Sequence, residues 1–255
     1  MSWRTLLLAL CFAVPAAAQE DDEEVVAGLS QSRISISANF DGSEILVFGA
    51  VKRESPIRSQ PPLGVIVAVV GPSGAVTVRR KDRLAGIWVN QNSVEVDAAP
   101  SFYAVATSAP LEDILNDTED LRNRISIRRA IRTVGAAGLV EDPTNFTDAL
   151  IRIRKGAGLY QMNPGTVEIT ESTLFNTSIS LPANLTEGEY LARIFLTRGG
   201  RVVTEHRTEI YVRKVGLERL LYNLAHEQPL IYGLLSLALA AIAGWGASAA
   251  FRWLR

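Results

Sequence analysis

Cysteine and histidine are almost absent from this chain. Its 255 residues include one cysteine and two histidines, against 26 basic and 27 acidic residues. Zinc sites and disulfides need these scarce side chains, so we expect no metal site, no disulfide and no cofactor. The formal net charge of −1 also lacks the positive excess of nucleic-acid-binding proteins. The composition therefore favours binding or scaffolding over redox, metal or nucleic-acid chemistry.

The single cysteine, Cys11, lies in a segment typical of a secretory signal. Arg4 provides the positive start, an apolar stretch follows, and small residues precede Gln19. The apolar stretch is shorter than the roughly 20 residues that span a bilayer. We predict a signal peptide at 1–18, and its removal leaves a chain without cysteine. The acidic segment 19–24 is expected to form a solvated leader.

The longest uncharged stretch of the chain lies near its C-terminus. Residues 229–251 carry no charge and suit one transmembrane helix. Arg252 and Arg255 follow directly, and the positive-inside rule places this tail, 252–255, in the cytoplasm. A cleaved signal requires the same orientation. We predict a type I single-pass protein in the lipid bilayer, with an amphipathic juxtamembrane segment at 217–228.

The composition of the part before this helix bears on its compartment. It has no cysteine after position 11, and arginine strongly outnumbers lysine in the chain. Exported eukaryotic domains usually carry disulfides, so we favour a bacterial inner membrane with the N-terminal domain in the periplasm. Asn-x-Ser/Thr triplets, the acceptor pattern of N-glycosylation, instead favour a eukaryotic cell surface. They lie at Asn116, Asn145, Asn176 and Asn184.

Two regions show the period-2 alternation and the Gly/Pro turns of β-strands. They are an N-terminal β-sandwich region at 19–108 and a C-terminal β region at 158–216. The dense apolar run Gly64–Val70 suits a strand that is buried on both faces. We predict a mainly β fold with immunoglobulin-like β-sandwich modules. The pattern leaves one sandwich or two open, and two modules separated by a helical insert are favoured.

Residues 109–157 form that helical insert. Residues 111–134 contain no glycine or proline, and their first half is acidic whereas their second half is basic. A helix dipole favours this order of charge, so a helix is predicted, with a bend near Leu121. A second helix is predicted from local signals. These are Asp142 as cap, Pro143 in the first turn, one apolar face of Phe146, Leu150 and Ile153, and Gly156 at the end.

The densest basic run is a candidate anion-binding site. Arg79, Arg80 and Lys81 lie on a predicted strand and its following turn, and converging cations bind anions. Residues of the second helix are expected to contribute to the same patch: Arg152, Arg154 and Lys155. The alternative is a solvated strand edge, where charge discourages edge-to-edge pairing. The aromatic residues of nearby strands are expected to pack in the core or across strands: Trp88, Phe102 and Tyr103.

The membrane segment carries small residues at a spacing of four: Ala240, Gly244 and Ser248. Such a stripe permits close helix packing, so we expect self-association or a membrane-protein partner. Nucleophile elbows and zinc-binding helix motifs are absent from the sequence, and we predict no catalytic residue. A periplasmic hydrolase using carboxylates that meet only in space stays as an alternative.

Three stretches resemble the alphaproteobacterial putative transmembrane protein family. They are Glu44–Ala50, Arg79–Lys81 with Ala85–Asn90, and Pro100–Ala106 followed by Pro110. The resemblance covers most of the chain and includes the single C-terminal span. It implies an accessory role beside sulfite-exporter-type permeases and assigns no catalytic residue. We therefore expect a membrane-anchored periplasmic accessory protein, with an anion- or solute-binding module as the alternative.

Overall fold

A computed structural model describes residues 23–37, 40–54, 56–57, 60–133 and 143–253. The predicted signal at 1–18 and the predicted cap Asp142 lie outside these residues. In chain order the strands are β1 (Glu23–Leu29), β2 (Arg33–Ile36), β3 (Gly42–Arg53), β4 (Leu63–Val70), β5 (Ser73–Leu84), β6 (Ile87–Pro100), β7 (Tyr103–Thr107), β8 (Tyr160–Asn163), β9 (Glu168–Thr170), β10 (Leu174–Pro182), β11 (Gly188–Arg198) and β12 (Arg201–Lys214). The helices are α1 (Leu111–Ile114), α2 (Asp117–Asn123), α3 (Ile127–Ala130), α4 (Pro143–Gly156), α5 (Leu217–Glu227) and α6 (Pro229–Trp253).

The strands form two main sheets and a separate hairpin. The first sheet has the order β1-β3-β10-β9, and the second has the order β2-β12-β11-β4-β7-β8. The second sheet contains two parallel pairs, β2 with β12 and β7 with β8. Strands β5 and β6 pair only with each other. The mainly β prediction is confirmed, and the immunoglobulin-like topology stays a prediction.

The two predicted β regions are interleaved, not separate. In the first sheet, β3 pairs with β10, and in the second sheet β4 pairs with β11. Each pair joins a strand from 19–108 to a strand from 158–216. The favoured expectation of two modules is therefore wrong for the described residues. Alternation shows that a strand has a buried face, but it does not show which strand lies beside it.

The core lies on both faces of the second sheet. Between the two sheets, Val47 and Ile179 of the first pack in one cluster with Val67 and Ile194 of the second. On the other face of the second sheet, Ile66 belongs to a cluster that includes residues of α3 and α4. The same cluster includes the part of the β5–β6 hairpin next to the sheet, up to Val78 and Val94, which we call the root of the hairpin. Strand β4 is thus buried on both sides, as its continuous apolar run predicts.

The first half of the helical insert differs from the prediction. Three short helices, α1 to α3, replace one bent helix. Asn116 Oδ1 accepts the N–H of Glu119 and begins α2, while Arg124 adopts a left-handed φ of 53° and ends it. Asp120 Oδ1 then accepts the N–H groups of Ile125 and Ser126 at 3.1 and 2.7 Å. Capping side chains thus divide the segment into short helices.

The second helix agrees with its predicted bounds. Helix α4 begins at Pro143 and ends at Gly156. Phe146 and Leu150 are buried, but Ile153 is 62% exposed, so its predicted place on the buried face is wrong. Ile151 and Arg154 are half-buried, so the side of α4 that contacts the core continues from Leu150 to these residues and leaves Ile153 outside it.

The last two residues of the predicted solvated leader, 19–24, lie in a strand, and 19–22 lie outside the described residues. Glu23 and Glu24 are the first two residues of β1, which pairs with β3 along its length. The side chain of Glu23 is only 8% exposed. At the other end of the chain, α5 follows β12 and leads to α6, whose residues Pro229–Ser248 are long and apolar enough to cross a membrane.

Candidate interaction surfaces

The hairpin β5–β6 extends well beyond the folded core. Its last buried pair is Val78 and Val94, which are 7% and 1% exposed. Beyond this pair the residues are exposed, apart from the half-buried Val89 and Asn92. At about 3.3 Å per residue, Leu84 lies about 20 Å farther along the strand than Val78. The hairpin is therefore an arm whose outer half has no role in the core.

The end of this arm is an apolar two-residue turn. Ala85 and Gly86 have φ values of 50° and 88°, as the hairpin-favouring turns with positive φ require. The turn places Leu84 opposite Ile87. Leu84, Ile87 and Trp88 are 58%, 65% and 69% exposed. We call residues 84–88 the hairpin tip. Sequence patterning expected Trp88 to pack, and the structure instead exposes it.

The predicted anion-binding residues lie on the outer half of β5. Arg79, Arg80 and Lys81 are all exposed. Successive strand residues point to opposite faces, so Arg80 faces away from Arg79, and a register shift separates Arg80 from Lys81. The three side chains surround the strand and do not converge on one cavity. The anion site stays a prediction.

Arg154, one of the helix residues predicted to join that patch, instead contacts the root of the hairpin. Arg154 Nη1 donates to the carbonyl oxygen of Pro100 at 2.6 Å, and its guanidinium carbon lies 5.4 Å from the centre of the Tyr160 ring. Tyr160 donates to the same carbonyl at 2.8 Å. Burial raises the pKa of Tyr160 to about 12, so the hydroxyl keeps its proton. Arg154 and Tyr160 thus fix the root of the hairpin.

The hairpin and the membrane helix leave the second sheet at the same end. Val70, the last residue of β4, pairs with Leu191, which pairs in turn with Glu209 of β12. Strands β4 and β12 therefore run toward the same end of the sheet, and β12 extends five residues beyond the level of Val70. Strand β5 begins three residues after Val70, and α5 begins three residues after Lys214. Sequence reasoning missed this relationship because it depends on pairing between distant strands.

Helix α6 presents its small residues openly. Ala240, Gly244 and Ser248 are exposed, and a Cβ added at Gly244 would meet no atom within 4 Å. The described part of the β domain therefore does not cover the stripe. The geometry allows another helix to approach at this face.

Two cavities in the described part of the β domain offer little catalytic chemistry. One, of about 440 Å³, is lined by Asp113, Ser108 and Thr197 among mainly apolar residues. The other is an open groove whose one acidic lining residue is Asp41. Among the residues lining them, no two carboxylates face each other, and the described chain contains no cluster of metal-ligating side chains. The hydrolase alternative stays a prediction without a located site.

Comparison with known proteins places the chain in a family. The family described as "Putative transmembrane protein (Alph_Pro_TM)" matches residues 24–253. The match covers nearly the whole chain, so the chain belongs to this family, as the resemblance predicts. The chain is thus a membrane-anchored protein, and among its described residues α6 is the one helix that is long and apolar enough to span a membrane. No curated protein matches it.

Proposed function

We propose that this chain is a non-enzymatic accessory protein of an integral membrane partner in a bacterial inner membrane. Its β domain lies in the periplasm, its C-terminus lies in the cytoplasm, and α6 docks on the partner within the bilayer. An anion permease of the sulfite-exporter type is the partner that the family resemblance implies. Self-association through α6 is the alternative use of the same face.

The observation that carries this proposal is the exposed small-residue face of α6. Lipid-facing helices need only apolar bulk, whereas small residues at a spacing of four let two helix backbones approach closely. Ala240, Gly244 and Ser248 provide that spacing, and the described ectodomain leaves them open. The folded domain with its projecting hairpin, at the same end as the membrane helix, adds a surface for a role outside the bilayer.

The test is recovery of partners from a mild detergent, with matched substitutions in α6. Gly244→Leu fills the small-residue face, whereas Gly246→Leu makes the same change about 200° around the helix. We expect a specific membrane protein to copurify with the original chain and with Gly246→Leu, and to be several-fold depleted with Gly244→Leu. Differently tagged copies distinguish self-association. Equal recovery with both variants contradicts docking through this face.

An anion-binding module is the second candidate function. The net positive charge around Arg79, Arg80 and Lys81 supports it, but the exposed strand supplies no enclosing cavity. Thermal unfolding of the purified protein with sulfite, sulfate, phosphate and carboxylates tests this alternative. A stabilisation that Arg79→Gln, Arg80→Gln and Lys81→Gln remove together supports anion binding, and a flat response contradicts it.

A further inference from the structure

We propose that the hairpin tip inserts into the headgroup layer of the bilayer that holds α6, and that anionic phospholipids draw it there. This proposal rests on the membrane anchorage in the proposed function and adds a second contact with the membrane. The second contact would fix the orientation of the β domain above the bilayer.

The first argument is the chemistry of the hairpin tip. Leu84, Ile87 and Trp88 are each more than half exposed, although large apolar side chains are costly to leave in water. Tryptophan favours the membrane–water interface because its ring is amphipathic. The core of the fold ends at Val78 and Val94, so packing does not account for the apolar tip.

The second argument is that each face of the hairpin end carries at least one large apolar side chain. Leu84 and Ile87 are paired and share one face, whereas Arg83 and Trp88 are the next pair and share the other. A groove on a folded protein covers one face of a two-stranded ribbon. A fluid headgroup layer surrounds the tip on all sides, so both faces lose contact with water together. This arrangement favours a bilayer over a protein groove.

The third argument is the charge just behind the tip. Residues 79–93 contain four basic side chains and one acidic side chain, Asp82, for a net charge of +3. The basic residues are Arg79, Arg80, Lys81 and Arg83. Anionic lipids attract such residues near the membrane surface, within about one Debye length. Long arginine and lysine side chains also reach phosphates while the neighbouring apolar tip lies deeper.

The fourth argument is position. The root of the hairpin and the start of α5 lie at the same end of the second sheet, and the arm reaches about 20 Å past its last buried pair. Because α6 tethers the domain to the membrane, the tip meets the surface at a high effective concentration. Weak attraction for each side chain is therefore enough to hold it there.

The experiment uses Trp88 as a reporter in the full chain. The chain has four tryptophans, so Trp3→Phe, Trp245→Phe and Trp253→Phe leave Trp88 as the single one. The purified protein is reconstituted into nanodiscs of phosphatidylcholine, with or without phosphatidylglycerol. Quenching of Trp88 by brominated lipid reports immersion, and quenching by acrylamide reports exposure to water. With phosphatidylglycerol we expect a blue-shifted emission, several-fold stronger quenching by brominated lipid and weaker quenching by acrylamide.

Matched charge variants identify the cause. Arg79→Gln, Arg80→Gln and Lys81→Gln together should return both quenching signals toward the values in pure phosphatidylcholine. The control removes the same charge from exposed residues outside the hairpin and the predicted patch, by Arg33→Gln, Arg129→Gln and Arg201→Gln, and should leave the signals unchanged. Circular dichroism checks that each variant keeps its β content.

Two results overturn the proposal. One is acrylamide quenching of Trp88 that is the same with and without phosphatidylglycerol. The other is protection of Trp88 in native membranes but not in the nanodiscs, which identifies a protein partner at the tip. The nanodiscs contain no partner, so this experiment is independent of the recovery test on Gly244. A negative result in the quenching experiment can therefore be distinguished from a negative result in the recovery of a membrane partner.

Discussion

Glu23 and Arg198 join the two sheets by a two-point ion pair. Arg198 Nε donates to Oε2 of Glu23 and Nη2 donates to Oε1, both at 2.8 Å. Arg53 of β3 donates to the same carboxylate through Nε at 2.6 Å. The three side chains are between 4% and 8% exposed. Glu23 begins β1 of the first sheet and Arg198 ends β11 of the second, so the pair fastens the sheets at the end away from α5.

Removing the carboxylate charge should destabilise the protein strongly. In Glu23→Gln, two buried guanidinium groups lose their counter-charge, and breaking a buried pair from one side costs about 3 kcal/mol or more. Urea unfolding of the detergent-solubilised chain, followed by circular dichroism, measures the loss. The matched control is Glu24→Gln in the same strand. Its partner Lys52 is 3.1 Å away in an exposed pair, so the loss should stay below about 1 kcal/mol. Equal effects would contradict the role of burial.

The same pair predicts a dependence of stability on pH. Hydrogen bonds from Arg198 and Arg53 lower the pKa of Glu23 from 4.5 to about 2, against the opposing effect of burial. The unfolded chain therefore takes up the proton first as the pH falls. The stabilisation, about 3 kcal/mol, is complete above about pH 5 and is lost progressively toward pH 2.

The measurement is the free energy of unfolding of the original chain and of Glu23→Gln across this range. The difference between the two should narrow as the pH falls from about 5 to 2. A constant difference would show that Glu23 titrates alike in the folded and unfolded states.

Two buried threonines of the second sheet should respond oppositely to loss of the hydroxyl. Thr197 and Thr107 are both 0% exposed. Thr107 Oγ1 donates to the carbonyl of Ala109 at 2.7 Å, whereas Thr197 Oγ1 has no hydrogen-bond partner among the described residues. Thr197→Val should be neutral or stabilising by up to about 1 kcal/mol, and Thr107→Val should cost about 1 kcal/mol. Urea midpoints compare them, and an equal loss in both would contradict the assignment.

Gly49 of β3 should not tolerate a methyl group. A Cβ there would lie 2.5 Å from Cζ of Phe175 and 2.7 Å from the carbonyl oxygen of Val26. Val26 belongs to the paired strand β1, so its carbonyl cannot move without disturbing the sheet. We expect Gly49→Ala to cost about 2 kcal/mol. Gly74→Ala in β5 is the control, because its Cβ would meet nothing within 4 Å. Thermal unfolding separates the two, and a tolerated Gly49→Ala would show that the strands yield.

Elements with local signals were predictable from the sequence. Helix α4 has the predicted bounds because proline favours a first turn and glycine favours an end without help from distant residues. Strand β4 was recognisable because burial on both faces leaves an unbroken apolar run. The family resemblance is confirmed over residues 24–253.

The candidate interaction surface was only partly predictable. The basic run was visible, but the long hairpin of β5 and β6 on which it lies was not. Ala85-Gly86 between two alternating runs was the available signal for the turn. Exposure of Trp88 had no local signal, because a strand of the same pattern can be covered by another layer.

The sequence by itself determined that the chain is mainly β and where it spans the membrane, because strand alternation and a long uncharged run are local properties. Tertiary structure alone decided that two β regions form one pair of sheets, that Glu23 of the acidic segment is buried, and that the hairpin leaves the end of the sheet nearest the membrane helix. These features depend on contacts between residues far apart in the chain, such as Glu23 with Arg198. Local composition does not encode which distant partner each strand will meet.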